Sequence, residues 1–324
     1  MEHVQGAAAD GPSAAALAGP GALAAFRRGF LATRPKFYTA SVLPVILGTT
    51  WAAAAHHAFD LRLFVLATIA TVLAHGATNV YNDVTDDANG TDPANVTRIY
   101  PYTGGSRFIQ NGVLTRAAML KLAIVLGLAA LGIGVWLTFL RGAGVMVLGL
   151  AGLAIGALYS MPGVQLSGRG IGEFAVAVGL GALPALGATW LQSGIVDAGS
   201  LLLATCISVW VALILLINEV PDAAADAQVG KRTLAVRLGE SGVRVLYAAL
   251  TLVALAAGVA LVVRGDLPWW AAVPVAAVAA LGLVAARGIT LAPARRGELK
   301  KSIEMTLAVH AVGTIALVVA AALR

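Results

Sequence analysis

The segment Asn79–Asp92, N-V-Y-N-D-V-T-D-D-A-N-G-T-D, sits directly on the end of an apolar run that begins at Leu63. At 100° per residue Asn79, Asn82, Asp83 and Asp86 fall at i, i+3, i+4 and i+7, one polar face on a continuation of the same helix. Asp87 adds a further carboxylate beside Asp86. An unpaired carboxylate at membrane depth costs roughly 2.5 to 3.5 kcal/mol on insertion scales, and neighbouring carboxylates repel. Positive charge therefore belongs among them.

A second stretch at 218–230, N-E-V-P-D-A-A-A-D-A-Q-V-G, ends another apolar run, with Asn218, Asp222, Asp226 and Gly230 at i, i+4, i+8 and i+12. The two stretches read as facing half-sites. Oxygen ligands without a companion His or Cys suit a hard cation, and Mg²⁺ is typically held by a few carboxylates plus substrate phosphates. The expected ligand is a magnesium diphosphate. Two solvated helix ends are the plainer alternative; against it, acids recur on two helical faces in a chain with only 12% charged residues. The two N-x-x-x-D faces, 139 positions apart (79 to 218), are the single hint of duplication.

The rest of the chain sets the context. With 324 residues, 59% of them hydrophobic, and a mean hydropathy of +0.85, the composition excludes a soluble domain. Runs long enough to cross ~30 Å of hydrocarbon occur at 37–56, 63–80, 118–140, 142–159, 171–191, 201–220, 243–263, 269–286 and 303–323, predicting nine membrane-spanning helices. With the N-terminus inside, inner segments hold 18 Lys and Arg and outer segments hold 4, namely Arg62, Arg141, Arg264 and Arg324. That bias predicts a cytoplasmic N-terminus and places both acidic stretches on the cytoplasmic face of the cell's inner (plasma) membrane. The net charge of +6 reflects this bias and not nucleic-acid binding. The single cysteine, Cys206, falls mid-helix and reads as a packing residue.

Residues 1–30 are Ala, Gly and Pro rich, without a continuous apolar h-region, and read as a disordered cytoplasmic tail; residues 31–324 form one membrane-embedded domain. Arg34-Pro35-Lys36 then leads into the first span as headgroup anchors, with a part in holding an anionic substrate as the alternative. Thr103-Gly104-Gly105-Ser106-Arg107 is a glycine-rich turn bearing a cation, which lets backbone N–H groups and a guanidinium fork approach phosphate oxygens. Gly230-Lys231-Arg232-Thr233 repeats that theme beside the second acidic stretch; plain positive-inside charge is the alternative there. Tyr159 precedes a tight loop that closes with Arg169-Gly170-Ile171-Gly172-Glu173, and Pro221 is expected to kink its helix. His75 and His310 lack partners at metal-ligand spacing and read as core histidines.

These residues resemble the UbiA superfamily of intramembrane prenyltransferases, and within it the 1,4-dihydroxy-2-naphthoate polyprenyltransferase branch of menaquinone synthesis. The first motif appears as N-D-x-x-D-x-x-x-G-x-D through Asn82, Asp83, Asp86, Gly90 and Asp92, and the second as Asn218, Asp222 and Asp226 followed by G-K-R-T-L-A-V-R-L-G from Gly230. The likeness spans Arg34 to about Gly239, the later helices matching only in number and placement. Close relatives often carry Lys where this chain has Ser167, and a basic residue where it has Gln165, which puts in question the acceptor or the grip on diphosphate.

The resemblance implies nine helices around a central cavity, capped by the two motif loops, and prenyl transfer from a polyprenyl diphosphate to an aromatic acceptor. Asp83, Asp86, Asp222 and Asp226 would hold Mg²⁺, with Asp92 and Asn218 in support. Arg107, Lys231 and Arg232 would bind the diphosphate. Asn79, Asn82 and Tyr159 would orient substrates or stabilise the allylic cation. A terpene cyclase on the same fold, or transfer to another aromatic acceptor, is the alternative. Cation transport fits less well, since transport sites usually lie near the bilayer midplane.

Overall fold

The computed structural model describes residues 11–324, all helix and connecting loop. Nine helices among the described residues are long and apolar enough to cross a membrane. We label a short leading helix α1 (Ala22–Ala32) and the nine spans α2 (Pro35–His56), α3 (Leu61–Ala88), α4 (Arg116–Arg141), α5 (Ala143–Ser160), α6 (Gly172–Ser193), α7 (Ala198–Gln228), α8 (Leu234–Val263), α9 (Trp269–Arg287) and α10 (Pro293–Ala322).

Local signals set the helix starts. The Asp60 carboxylate accepts the Arg62 and Leu63 N–H groups at 2.7 and 3.3 Å, and Asp197 with Ser200 forms a reciprocal capping box on α7. Thr115 and Thr233 cap α4 and α8. The far ends outrun the apolar sequence: α3 continues from Val80 to Ala88 and α7 from Val220 to Gln228, so both acidic stretches are helical. The expected kink at Pro221 does not interrupt α7, which stays helical through it. Its carbonyl is bonded from outside by the Thr97 hydroxyl at 2.7 Å.

The core is built around α7, the most buried span, whose Trp210, Leu213, Leu216 and Ile217 pack with residues of α2, α8, α9 and α10. Small residues permit this closeness. A Cβ on Gly48 would lie 2.0 Å from the Ala185 carbonyl oxygen, and one on Gly199 would lie 2.2 Å from the Trp51 ring. Cys206 is buried in this core, with its Sγ 3.5 Å from the Ala254 carbonyl, as a packing role requires.

The spans α2 to α7 enclose a chamber, and α8 to α10 buttress α7 and α2 from outside, with Thr233 just before α8 reaching the lining. Part of α6, Ala177–Ala182, is π-helical and forms a stretch of the chamber wall.

Part of the expected disordered tail is corrected. Residues 22–30 belong to α1, because their Ala-rich composition favours helix and Leu23, Phe26 and Phe30 share one face. Upstream, Leu17 is buried against Phe108 and Met119, and Asn111 donates to the Pro12 carbonyl at 3.2 Å. The portion of that expectation on residues 1–10 lies outside the described residues.

Candidate active site

The chamber has a volume of about 400 Å³ and reaches along one face of α3 from Asp86 to Ala67, about 28 Å at 1.5 Å per residue. Its depth is apolar, walled by residues such as Leu131, Leu153, Leu180 and Ile214; its rim is polar. At the rim the two acidic helix ends meet. Lys231 Nζ lies 2.6 Å from Asp86 Oδ1 and 3.8 Å from Asp226 Oδ1, bridging the half-sites. Asp222 accepts Asn95 Nδ2 at 2.7 Å and the Gly104 N–H at 3.1 Å, so the segment after the first motif is knitted onto the second.

Most of the expected site residues converge here. Asn79, Asn82, Asp86, Asp92, Tyr159, Asn218, Asp222, Asp226 and Lys231 all line the chamber. The Asn82 amide donates to Asp86 at 3.1 Å and to the Ser160 hydroxyl at 3.2 Å, while that of Asn79 donates to the Thr33 carbonyl at 3.0 Å. Among the described residues no three acidic or histidine side chains gather at metal-ligating distance. Lys231 and Asn95 occupy carboxylate oxygens instead.

Three expected residues lie elsewhere. Asp83 is buried behind the rim, paired with Arg34 and accepting the Ser106 N–H at 3.1 Å, and does not face the chamber. Arg107 is buried beside it, its guanidinium donating to the Asp92 carbonyl. Arg232 is exposed and points away. The glycine turn likewise gives N–H groups of Gly104 and Ser106 to acids rather than leaving them for phosphate. A Cβ on Gly105 (φ +75°) would lie 3.0 Å from oxygens of both Asp83 and Asp92.

Sequence reasoning undervalued Arg34, which lines the chamber. Its φ of 58° is left-handed, an uncommon conformation for a non-glycine residue, and occurs where the chain turns from α1 into α2. Arg107 and Gln165 share that conformation, on the other loops around the mouth. Asn95, Glu173, Ser167 and Glu219 were also not anticipated as site residues; Asn95, Ser167 and Glu219 line the chamber, and Glu173 is buried beside it.

Electrostatics at the rim are strained toward negative charge. Burial, reinforced by Asp86, pushes the Asp92 carboxyl up to about 7, against the pull of Arg34 and Arg107. Burial alone would lower the Lys231 ammonium, but Asp86 and Asp226 outweigh it and hold that group above the ordinary lysine value.

A polytopic helical bundle that encloses a deep apolar chamber beneath a charged rim is the architecture of a membrane-embedded enzyme. The sequence profile of the UbiA prenyltransferase family matches residues 41–321, and the chain belongs to that family. It is a prenyltransferase, transferring alkyl groups other than methyl. Among curated relatives, the 1,4-dihydroxy-2-naphthoate octaprenyltransferase of Mycobacterium leprae is 33% identical over 255 residues, covering 78% of this chain and 82% of that one. The enzyme of the same name from Bacillus subtilis is 30% identical over 238 residues, covering 74% of each. Among solved structures, the apo form of a UbiA homolog from Aeropyrum pernix K1 superposes with a TM-score of 0.65 at 20% identity, covering 86% of this chain and 96% of that one. A UbiA homolog from Archaeoglobus fulgidus bound to DMAPP and Mg²⁺ gives 0.61 at 13% identity, covering 87% and 99%. At these identities the two structures establish the fold.

Proposed function

We propose that the enzyme moves a polyprenyl group from a polyprenyl diphosphate to an aromatic acceptor, 1,4-dihydroxy-2-naphthoate, in menaquinone biosynthesis. The observation that carries this reading is the chamber itself, about 28 Å long from rim to floor, whose apolar depth opens onto acids and cations from both motifs. The tail of the donor lies along the chamber and its diphosphate rests at the rim. The acceptor is supported by the names of the relatives, at about 30% identity.

The donor set fits a hard divalent cation. Asp86, Asp222 and Asp226 supply carboxylate oxygens, and the Asn218 Oδ1 is buried without a hydrogen-bond partner among the described residues. These residues would hold Mg²⁺, which when bound neutralises charge on the diphosphate as it departs. Lys231 and Arg34 face the same space and stabilise the leaving group as the allylic C–O bond breaks. The apolar walls exclude water, which would otherwise quench the allylic cation. The electron-rich ring then attacks that carbon and restores its aromaticity by losing the proton, or the carboxyl group as CO₂, from the alkylated position, with Asn79, Asn82 and Tyr159 orienting the partners.

Orientation follows from charge. The acidic helix ends and most of the Lys and Arg residues share one end of the bundle, which on the 18-to-4 bias faces the cytoplasm in the inner (plasma) membrane. The test is to incubate membranes holding the enzyme with Mg²⁺, a labelled polyprenyl diphosphate and a panel of aromatic acceptors. A prenylated dihydroxynaphthoate-derived product is expected. A cyclised hydrocarbon formed from the diphosphate alone would refute the reading in favour of a terpene cyclase.

A further inference from the structure

One group of buried polar side chains takes no part in the rim network. Glu219 lines the chamber at 7% exposure, and Glu173, at 5%, lies behind it. The helical segment that carries Glu173, Gly172–Val176, packs against α7, which carries Glu219. Both oxygens of Glu173, Oε2 of Glu219 and the Oγ of Ser167, itself 7% exposed and lining the chamber, find no donor or acceptor among the described residues. A Cβ on Gly172 would lie 3.3 Å from Ser167 Cα and 3.6 Å from both Leu215 Cδ2 and Tyr159 Cε2. Tyr159, Ser167 and α7 therefore converge on the residue just before Glu173, and Leu215 is one helical turn from Glu219.

Glu219 is rotated about 100° from Asn218, off the face that carries Asn218, Asp222 and Asp226. It lies about one turn deeper than Asp222. Unsatisfied ionisable groups buried at this depth are costly and mark function. Among the described residues no cation pairs with either glutamate, and the nearby Lys231 is paired with Asp86 and Asp226. The group presents unpartnered carboxyl and hydroxyl oxygens to the chamber.

We infer that Glu219, backed by Glu173 and flanked by Ser167 and Tyr159, is the acceptor-binding pole, receiving a ring hydroxyl of a phenolic or hydroquinone acceptor. The inference rests on the prenyl-transfer reading above and adds how the acceptor is recognised. A hydroxyl donates the hydrogen bond that the orphaned carboxylate oxygen lacks. The ring is thereby held one turn inside the rim, beside the point where the allylic end of the donor enters the apolar chamber.

The experiment uses the full chain in membranes and measures kcat/KM separately for the polyprenyl diphosphate and for a dihydroxy-aromatic acceptor. Wild type, Glu219→Gln, Glu173→Gln and Ser167→Ala are compared, each also with the mono-O-methyl ethers of the acceptor. Glu219→Gln is expected to lower acceptor kcat/KM by about ten-fold to a hundred-fold, through KM, with the donor KM unchanged. For the ether that removes the recognised hydroxyl, the same substitution is expected to cost little more, since the two changes act on one contact. Glu173→Gln and Ser167→Ala are expected to shift acceptor KM in the same direction by less. Equal losses toward donor and acceptor, or full additivity of ether and variant, overturn the inference. If Glu219→Gln does not accumulate, the wild type decides with Ser167→Ala: an acceptor KM untouched by every O-methylation and by the serine change overturns it. A wild type that prenylates no aromatic ring brings down the functional reading and this inference together, whereas one that prenylates the ring without these selective effects overturns the inference alone.

Discussion

Lys231 is the side chain that joins the two acidic half-sites, and its removal separates a ligand-binding cation from charge that merely sets topology. Its side chain is 8% exposed, with Nζ 2.6 Å from Asp86 and 3.8 Å from Asp226, facing the chamber. A hydrogen bond to a charged group contributes about 1.5 to 3 kcal/mol, so Lys231→Gln should lower donor kcat/KM roughly ten-fold to a hundred-fold. Arg34→Gln should fall in the same range, because Arg34 also faces the chamber. Arg232 and Arg295 are exposed, where a charge contributes at most about 1 kcal/mol, and their Gln variants should lose less than about five-fold. Lys231→Gln also leaves Asp86 and Asp226 facing each other uncompensated, which weakens the fold, so rates are taken at matched folded protein. Lys231→Arg, which keeps the charge, should recover part of the loss. The assay is single-substrate kinetics on the polyprenyl diphosphate at saturating acceptor. Indistinguishable losses at positions 34, 231, 232 and 295 would refute the assignment.

Further outcomes follow from the rim. Asp222→Ala should abolish turnover while the protein stays inserted, and chelation by EDTA should do the same; activity in EDTA equal to that in Mg²⁺ would contradict the metal assignment. Asp83→Asn should act through structure, loosening Arg34 and the Ser106 turn, so its thermal midpoint should drop along with activity, and a normal midpoint with no activity would return Asp83 to the ligand set. Asp92 has a folded pKa raised to about 7 by burial, so it binds its proton more tightly folded than unfolded, and its contribution to stability falls as pH rises from about 4 to about 7. Asp92→Asn should flatten that part of a stability-versus-pH curve; an unchanged slope would dispute the shift. A cysteine beside Asp266 should be labelled from outside intact cells and one beside Asn89 should not, the reverse pattern overturning the cytoplasmic assignment.

What the sequence made legible is what repeats along a helix. Apolar runs gave the nine spans, and the polar faces of α3 and α7 persisted beyond those runs with unbroken period, so Asp86, Asp222 and Asp226 were found together with their shared rim. Contacts that depend on loop conformation were hidden. Arg34 and Arg107 are both cations near glycines or helix starts, yet a left-handed turn puts one in the chamber and the other against the Asp92 carbonyl. Lys231 and Arg232 are adjacent with identical sequence signals, and only the fold shows that one is turned inward. Glu219, a single acid 100° off the motif face, has no periodicity to announce it; only the packing of α6 on α7 shows that it lies near the segment carrying Glu173.

The charge balance of the chamber constrains how the donor arrives. Asp86, Asp92, Glu219, Asp222 and Asp226 line it against Arg34 and Lys231, the only cations in the lining among the described residues. A bare diphosphate would meet the ionised members of this acid set in a low-dielectric wall, where repulsion is poorly screened. The proposed donor is therefore expected to enter with compensating divalent charge. Asp86, Asp222 and Asp226 would then hold the cation, and Lys231 and Asn95, which now donate to Asp86 and Asp222, would be free to donate to phosphate oxygens. On this reasoning the ion pairs of the present structure are placeholders for ligand contacts, which explains how acids this deeply buried remain compatible with a stable fold.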